Sequence, residues 1–409
     1  MTRLAPPLSK AGGRDRPYVL HLSGDFPDPV ESFKTKVIKT LVDLTADAFD
    51  HRVVSINRVS PKAGALASLL PGQPIRIVEQ AFEHGIALSY VAPGRGIMHR
   101  TMLRKLADWL TARLLAEDRR PDLIVGHKLT IEGIAVRQVA ERLGIPYAIS
   151  IQGDTDTKIL SVRRDLGGEY RRILEGASMV FPFSPWAFER ILSQLGIAEL
   201  PFLMLPCPTD IDTPLAPRIG GEGCVSVFHL KSFKRKNLGH MVGAARLLAQ
   251  DSSGFPGLTV IGGGEPGEVA ACKALIGDTP GVVLAGPMGR EDVRQRLNRA
   301  TAFVLPSVSE TFGLVFVEAL FAGTPIIYPA GTAVDGYFDD CGFAIRVDAR
   351  DPRAIADAMA RACREEQALK AELAVWQTSE HARQFMRPAI AATFAAGLNR
   401  AMAGSAASG

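Results

Sequence analysis

An alternation constrains this chain more than any other feature: short, unbroken apolar runs take turns with longer amphipathic stretches, and the pattern occurs twice. YVLHLSG (Tyr18–Gly24), HRVVSIN (His51–Asn57), PDLIVGH (Pro121–His127), YAISIQG (Tyr147–Gly153) and SMVFPFS (Ser178–Ser184) read as strands buried on both faces. Phe33, Val37, Ile38, Leu41 and Leu44 predict a helix between the first two. Strands that are apolar throughout and separated by helices build a parallel sheet covered on both sides. After LPCPTDIDTPLAPRIGGEG (Leu205–Gly223), which has linker composition, the pattern restarts with VSVFHL and the helix NLGHMVGAARLLAQ. LTVIGGG, VVLAGP, the helix EDVRQRLNRA, TAFVLPS and PIIYPA continue it. The expectation is an α/β chain of two tandem doubly wound, Rossmann-like domains, 1–205 and 206–379, facing a cleft. A disordered leader over 1–16 and a disordered tail GSAASG are also expected. Ligands of such sheets lie beyond the carboxyl ends of the strands.

The 409 residues give room for two cores, and 47% hydrophobic with 22% charged residues is a globular balance. A net charge of +4 makes no case for nucleic acid. Residues 1–205 carry 27 Lys/Arg against 22 Asp/Glu, and the remainder 20 against 21. The five cysteines are scattered without a CxxC pair, which argues against a disulfide framework or thiolate zinc site and fits a reducing cytosol. No stretch approaches the roughly 18–20 apolar residues of a spanning helix, and the N-terminus lacks a signal-peptide run. A soluble, cytoplasmic protein is expected.

PSVSETFGLVFVEALFAGTPII (Pro306–Ile327) contains an anomaly: from Leu314 to Ala322 every residue is apolar except Glu318. Ser309 or Thr311 can cap a helix starting near Gly313, and Gly323 with Pro325 ends it. A helix apolar all round is buried all round, and a carboxylate inside it costs several kcal/mol unless bonded, on the order expected for a buried charge. Its partner is either a basic side chain or a ligand with hydroxyls, such as a ribose. Glu310, eight positions earlier, falls in the loop at the strand's carboxyl end. The amides of Phe312, Gly313 and Leu314 then offer an anion site, with Gly313 allowing close approach.

These residues resemble a known family. E-T-F-G-L-x-x-x-E-A-x-x-x-G-x-P is similar to the donor-site signature of retaining glycosyltransferases of the GT-B fold, glycosyltransferase family 4. SFKRKNL resembles the basic loop of that donor domain, and LTVIGGGEP, with Gly263 at its centre, resembles its glycine turn. The resemblance implies a nucleoside-diphosphate sugar donor, with Glu318 on the ribose and Glu310 near the transferred sugar. Phe312, Gly313 and Leu314 would lie along the diphosphate and sugar, and Lys234 would be the phosphate lysine, with Arg235 beside it. His229 stands where the family usually has arginine. PDLIVGHKLTIEG and ISIQGDTD are similar to the first domain's histidine loop and sugar-side segment, which puts His127 and Gln152 among the candidates. Gln152 replaces a common histidine and offers hydrogen bonds without titration. A C-terminal helix over 380–402 would cross back onto the first domain. Retention, no cofactor and no metal are implied, the leaving diphosphate being stabilised by Lys234, other cations and helix amides.

Three motifs are set aside. Gly262, Gly264 and Gly267 spell GxGxxG, but Pro266 interrupts it and no acid ends the next strand. Asp154/Asp156 and Asp210/Asp212 spell DxD, a metal-diphosphate motif of a different fold. Glu310 and Glu318 make a poor hydrolase pair, because one sits within a helix rather than across a cleft from the other. For the acceptor, MHRTMLRKLADWLTARLL (Met98–Leu115) sets Met102, Leu103, Leu106 and Leu110 on one face, with Arg100, Arg104, Lys105 and Arg113 around it and Trp109 close by. An ordinary surface helix and a peripheral contact with the inner face of the plasma membrane both fit that pattern. The expected activity is hexosyl transfer to a glycan or lipid-linked acceptor, by analogy in cell-surface polysaccharide assembly. A nucleotide-sugar epimerase and a catalytically silent nucleotide-sugar binder are the alternatives.

Overall fold

The computed structural model describes residues 16–61, 73, 75–94, 96–251 and 254–406. Most of the leader (1–15) and the end of the tail (407–409) lie outside the described residues. The chain divides into two compact units. The first comprises Met1–Phe183, Ala187–Leu205 and Ile390–Gly409; the second comprises Ser184–Trp186 and Pro206–Ala389.

In the first unit the elements run β1 (Tyr18–Ser23), α1 (Val37–Leu44), β2 (Asp50–Val59), β3 (Ile77–Phe82), β4 (Gly85–Val91), α2 (His99–Leu115), β5 (Leu123–Gly126), α3 (Gly133–Leu143), β6 (Tyr147–Ile151), α4 (Asp154–Val162), α5 (Gly167–Glu175), β7 (Met179–Pro182) and α6 (Pro185–Leu195). They build a seven-stranded sheet of order β3-β4-β2-β1-β5-β6-β7. Residues of β1, β5, β6 and β7 are buried without alternation, as strands covered on both faces must be. One correction concerns the edge, because β3 runs antiparallel to β4. Gly85 opens β4 at φ 149°, and a Cβ there would meet the Val53 carbonyl oxygen at 2.2 Å, so only glycine fits the return. A second correction concerns Phe33, which is fully exposed and precedes α1 rather than belonging to it.

The second unit continues with β8 (Cys224–Val227), α7 (Leu238–Gln250), β9 (Leu258–Ile261), α8 (Pro266–Ile276), β10 (Val282–Gly286), α9 (Arg290–Asn298), β11 (Ala302–Val304), α10 (Leu314–Phe321), β12 (Ile326–Pro329), β13 (Ala344–Val347), α11 (Pro352–Arg364), α12 (Glu366–Trp376) and α13 (Glu380–Arg383). Its six strands lie in the order β10-β9-β8-β11-β12-β13, every neighbouring pair parallel. Pro266 is the first residue of α8, where its missing N–H costs nothing, and Glu265 with Glu268 forms a capping box around it. The GxGxxG run is therefore a helix start with its own cap.

The segment 380–402 is two helices rather than one: α13 ends at Arg383, and α14 runs Arg387–Ala406. Ile390, Phe394, Leu398 and Ala401 form its buried stripe. Phe394 packs on Phe181 of β7 with ring centroids 5.2 Å apart, and Gly397 leaves room for the same ring, which a Cβ would strike at 2.3 Å. In α2, Met102, Leu103, Leu106 and Leu110 are all buried in the core, so the apolar face proposed for a membrane is already covered. Arg100 and Arg104 of that helix lean on Glu169. Among the described residues no helix is long and apolar enough to cross a membrane.

Candidate functional site

The second unit gathers its polar candidates where the carboxyl ends of β8, β9, β11 and β12 lie side by side. Backbone bonds lock the loops to one another. Leu230 N–H donates to Gly263 O at 2.9 Å, joining the loops after β8 and β9. Val308 N–H donates to Arg235 O at 2.9 Å, and Asn237 Nδ2 to Pro306 O at 2.9 Å, joining β8 to β11. Glu310 N–H donates to Thr332 Oγ1 at 2.9 Å and Thr332 Oγ1 returns a bond to Glu310 O at 2.6 Å, joining β11 to β12. A Cβ on Gly262 would lie 1.8 Å from the Phe228 carbonyl oxygen, so the β9 loop reaches this position only with glycine. Glu310, Lys234, Arg235, His229, Gly263 and Gly313 are thereby held along one edge of one sheet.

The Glu310 carboxylate is held by Lys236 Nζ, and Arg235 Nη1 stands 3.6 Å from its other oxygen. Lys236 and Thr332 are thus positioning residues that sequence reasoning did not single out. Lys236 was visible only as one of three consecutive cations, and Thr332 carried no signal. Lys234 makes no ion pair among the described residues; it is exposed, its ammonium 5.8 Å from the Phe233 ring. His229 is exposed too, and its Nδ1 accepts the Lys231 N–H at 3.2 Å. That ring caps the short 3-10 turn Leu230–Ser232 and supplies no guanidinium fork.

Helix α10 begins at Gly313 in the left-handed region (φ 76°), without a side-chain cap, so neither Ser309 nor Thr311 caps it. The Phe316 N–H already donates to Gly313 O at 2.9 Å, which leaves the amides of Leu314 and Val315 as the first ones without an intrahelical acceptor. Phe312 is 2% exposed with its ring edge-on to Tyr337, so only its backbone remains for a ligand. Composition predicts a helix buried all round, and the structure corrects this: Leu314, Val315 and Glu318 form a half-buried face. Among the described residues Glu318 has no hydrogen-bond or ion-pair partner. Arg290, the nearest basic influence, pairs with Asp210 instead. Desolvation raises the Glu318 pKa, nearby Asp210 adds to it, and Arg290 opposes it. A partly desolvated carboxylate without a partner is what a ligand hydroxyl would satisfy.

In the first unit, two candidates are relocated. His127 is fully buried, with Nε2 2.9 Å from His21 Nδ1 and its ring stacked on His21 at 5.1 Å. His21 Nε2 in turn lies 2.8 Å from His51 Nδ1. Burial pushes the His127 pKa down to about 3 and that of His51 to about 4. His127 is a member of a buried histidine chain and is withdrawn as a catalytic residue. Gln152 is 6% exposed, and its Nε2 has no partner among the described residues. Each DxD carboxylate is committed elsewhere: Asp154 to Lys158, Asp156 to Thr130, Asp210 to Arg290 and Asp212 to Arg387.

Comparison with known proteins bears on the fold and on the second unit. Residues 223–365 match the family described as glycosyl transferases group 1. The chain is similar to sucrose-phosphate synthase from Thermosynechococcus elongatus with a TM-score of 0.64 at 20% identity, over 95% of this chain and 100% of that one. Against the structure described as trehalose-6-phosphate from E. coli bound with UDP-2-fluoro glucose the TM-score is 0.63 at 11% identity, over 94% and 99%. This chain thus has the GT-B architecture, and its family match is confined to residues 223–365 of the second unit.

Its curated relatives are more particular. The chain is 27% identical over 307 residues to the D-inositol 3-phosphate glycosyltransferase of Acidothermus cellulolyticus, spanning 68% of this chain and 66% of that protein. It is 32% identical over 130 residues to the protein of that name from Frankia alni, covering 30% and 32%. The chain thus spans under two thirds of the relatives it matches.

Proposed function

We propose that the protein transfers a hexose from a nucleoside-diphosphate sugar to a hydroxyl of a glycan or glycolipid acceptor, with retention at the anomeric carbon. Glu318 carries this reading: a half-buried carboxylate on an apolar helix, with no protein partner, suits the hydroxyl pair of a ribose. Along the same sheet edge the exposed Lys234 and the first amides of α10 suit the diphosphate, where negative charge grows as the bond to the sugar breaks. Gly313 allows the phosphates to approach the backbone, and Gly263 lies in the neighbouring loop, its carbonyl held by the Leu230 N–H. Glu310, fixed by Lys236 and Arg235, is set to accept hydrogen bonds from the transferred sugar. The acceptor hydroxyl attacks on the face the phosphate leaves, and the departing phosphate takes its proton. No step in this scheme calls for a metal or a cofactor.

The test is a thermal-shift series with UDP, GDP and their hexose conjugates, since ligands of the native state raise its melting temperature. One nucleotide should stabilise the protein, and Glu318→Gln should weaken that shift. Indifference of the wild type to every nucleotide overturns the reading. Incubating the effective donor with no acceptor separates transfer from epimerisation, since only an epimerase converts the sugar alone.

A further inference from the structure

The first unit contains a cavity of about 600 Å3, none of whose lining residues belongs to the donor edge described above. It opens beyond the carboxyl ends of β1, β2 and β4, the place where α/β sheets hold ligands, and is bounded by Gly24, Asn57 and Tyr90. Its charges are largely spent. Lys128 pairs with Asp25 at 2.5 Å, and Arg163 is held bidentately by Asp165. Arg58 has no carboxylate partner among the described residues, and the exposed Glu31 on the same lining offsets it. A site built for a phosphorylated acceptor would leave more positive charge unspent. Most of the wall is apolar instead: Met102, Leu103, Ile131 and Ile159. That wall continues outward onto Ile97 and Val162, which are 61% and 78% exposed.

Asn57 marks the polar end. It is 4% exposed, and its Nδ2 donates to Asp28 Oδ2 at 2.9 Å. Asp28 is fixed in turn by Ser55, Lys34 and the amides of Val30 and Glu31. The orientation of the Asn57 amide is therefore set, and its buried Oδ1 is left with no donor among the described residues. A buried acceptor without a donor calls for a hydroxyl.

We propose that this cavity seats the acceptor and that the acceptor is an amphiphile. Its hydroxyl-bearing head meets Asn57, and an alkyl or aryl tail runs past Ile159 to the lip at Ile97 and Val162. This deepens the glycosyl-transfer reading and rests on it. Each methylene drawn from water into the wall strengthens binding about fourfold.

Calorimetry on the full chain, with n-octyl β-D-glucopyranoside below its micellar concentration against methyl β-D-glucopyranoside, tests the idea. The octyl compound should bind at least tenfold more tightly. Val162→Asp, at an exposed position where folding is safe, and Ile159→Asp should each remove most of that preference. Val375→Asp, at a 72% exposed residue of α12, should leave it intact. Equal binding of the two glucosides overturns the proposal. So does a preference that survives both cavity variants, or one that Val375→Asp also removes, which would mark general detergent adsorption. Nucleotide thermal shifts on the same samples separate the two readings. Nucleotide stabilisation without tail preference sinks the amphiphile alone, whereas tail preference without any nucleotide effect sinks sugar transfer.

Discussion

Two parallel sheets, each with its loops at the carboxyl edge, treat their charges in opposite ways. In the first unit His21, His127, Glu132 and Asp156 are completely buried. Each is held by neighbours of the same unit; Glu132 Oε1, for instance, accepts the Gly24 N–H at 2.6 Å. In the second unit Lys234, Arg235 and His229 stand exposed at the edge, and Glu318 keeps an unpaired carboxylate. Buried titratable groups fix loop geometry at the expense of stability that varies with pH. Exposed cations contribute little to folding and remain available to a polyanion. The first edge is organised to have a shape, the second to have a field.

The largest effect expected from this contrast is on catalysis. Lys234→Ala should lower kcat on the order of 100-fold or more, as loss of one donor to a developing anion does, with the melting temperature unchanged. Steady-state kinetics beside a thermal melt would show it, and near-normal turnover would remove Lys234 from the mechanism. Glu310→Gln should follow closely, because a neutral amide forfeits the hold of Lys236 and Arg235 on that side chain.

The next effect belongs to the first edge and concerns stability. Desolvation is the main cause that pushes the Glu132 pKa up to about 8, with Lys128 opposing it. A carboxyl raised above its unfolded value gives stability that is complete below about pH 4.5 and is lost as pH rises toward 8. The buried histidines act in the opposite sense. Their lowered pKa values cost stability as pH falls from about 6.5 toward 4, so they add little over the interval from 6.5 to 8. Across it, Glu132→Gln should gain about 2 kcal/mol relative to wild type, at about 1.4 kcal/mol per pH unit. Urea titrations at pH 6.5 and 8.0 would measure the gain, and parallel curves would refute the assignment.

Smaller still is the backbone term at the donor edge. Gly313→Ala places a side chain at φ 76° and a Cβ 2.8 Å from the Phe316 ring. It should cost about 1–2 kcal/mol of stability, with a larger fractional loss of nucleotide affinity. A variant with wild-type affinity would mean that no phosphate approaches this turn.

Much of the architecture could be read from the chain because unbroken apolar runs admit few alternatives. β1, β5 and β6 are strands wherever they are placed, and Gly323 at φ 80° stops α10 as its residue type suggests. The antiparallel β3 escaped because IVEQAF is an edge strand with no buried residue, and its paired apolar and polar residues show neither a buried run nor a strict alternation. Glu318 stood out because a charge among eight apolar neighbours is rare. Its half-exposed surroundings did not, since a helix of eight residues can be apolar all round and still turn one side to the surface. His127 misled for a related reason. A histidine at a strand's end looks the same in sequence whether it meets a sugar or two other histidines, and His21 and His51 lie 106 and 76 positions away. Lys236 and Thr332 depend on loops brought together only by folding.

The histidine chain has one further consequence. Thr45 Oγ1 gives its hydrogen to Leu41 O at 2.8 Å and so can only accept from His51 Nε2, 2.9 Å away. That fixes His51 with a bare Nδ1, which obliges His21 to donate from Nε2, which in turn leaves His21 Nδ1 to accept from His127. One hydroxyl thus sets the tautomer of three imidazoles, and none can reverse unless all do. Thr45→Val would erase this polarity, and the three buried Nε2 protons, which should give slowly exchanging signals in a 1H NMR spectrum, would be the place to watch it go.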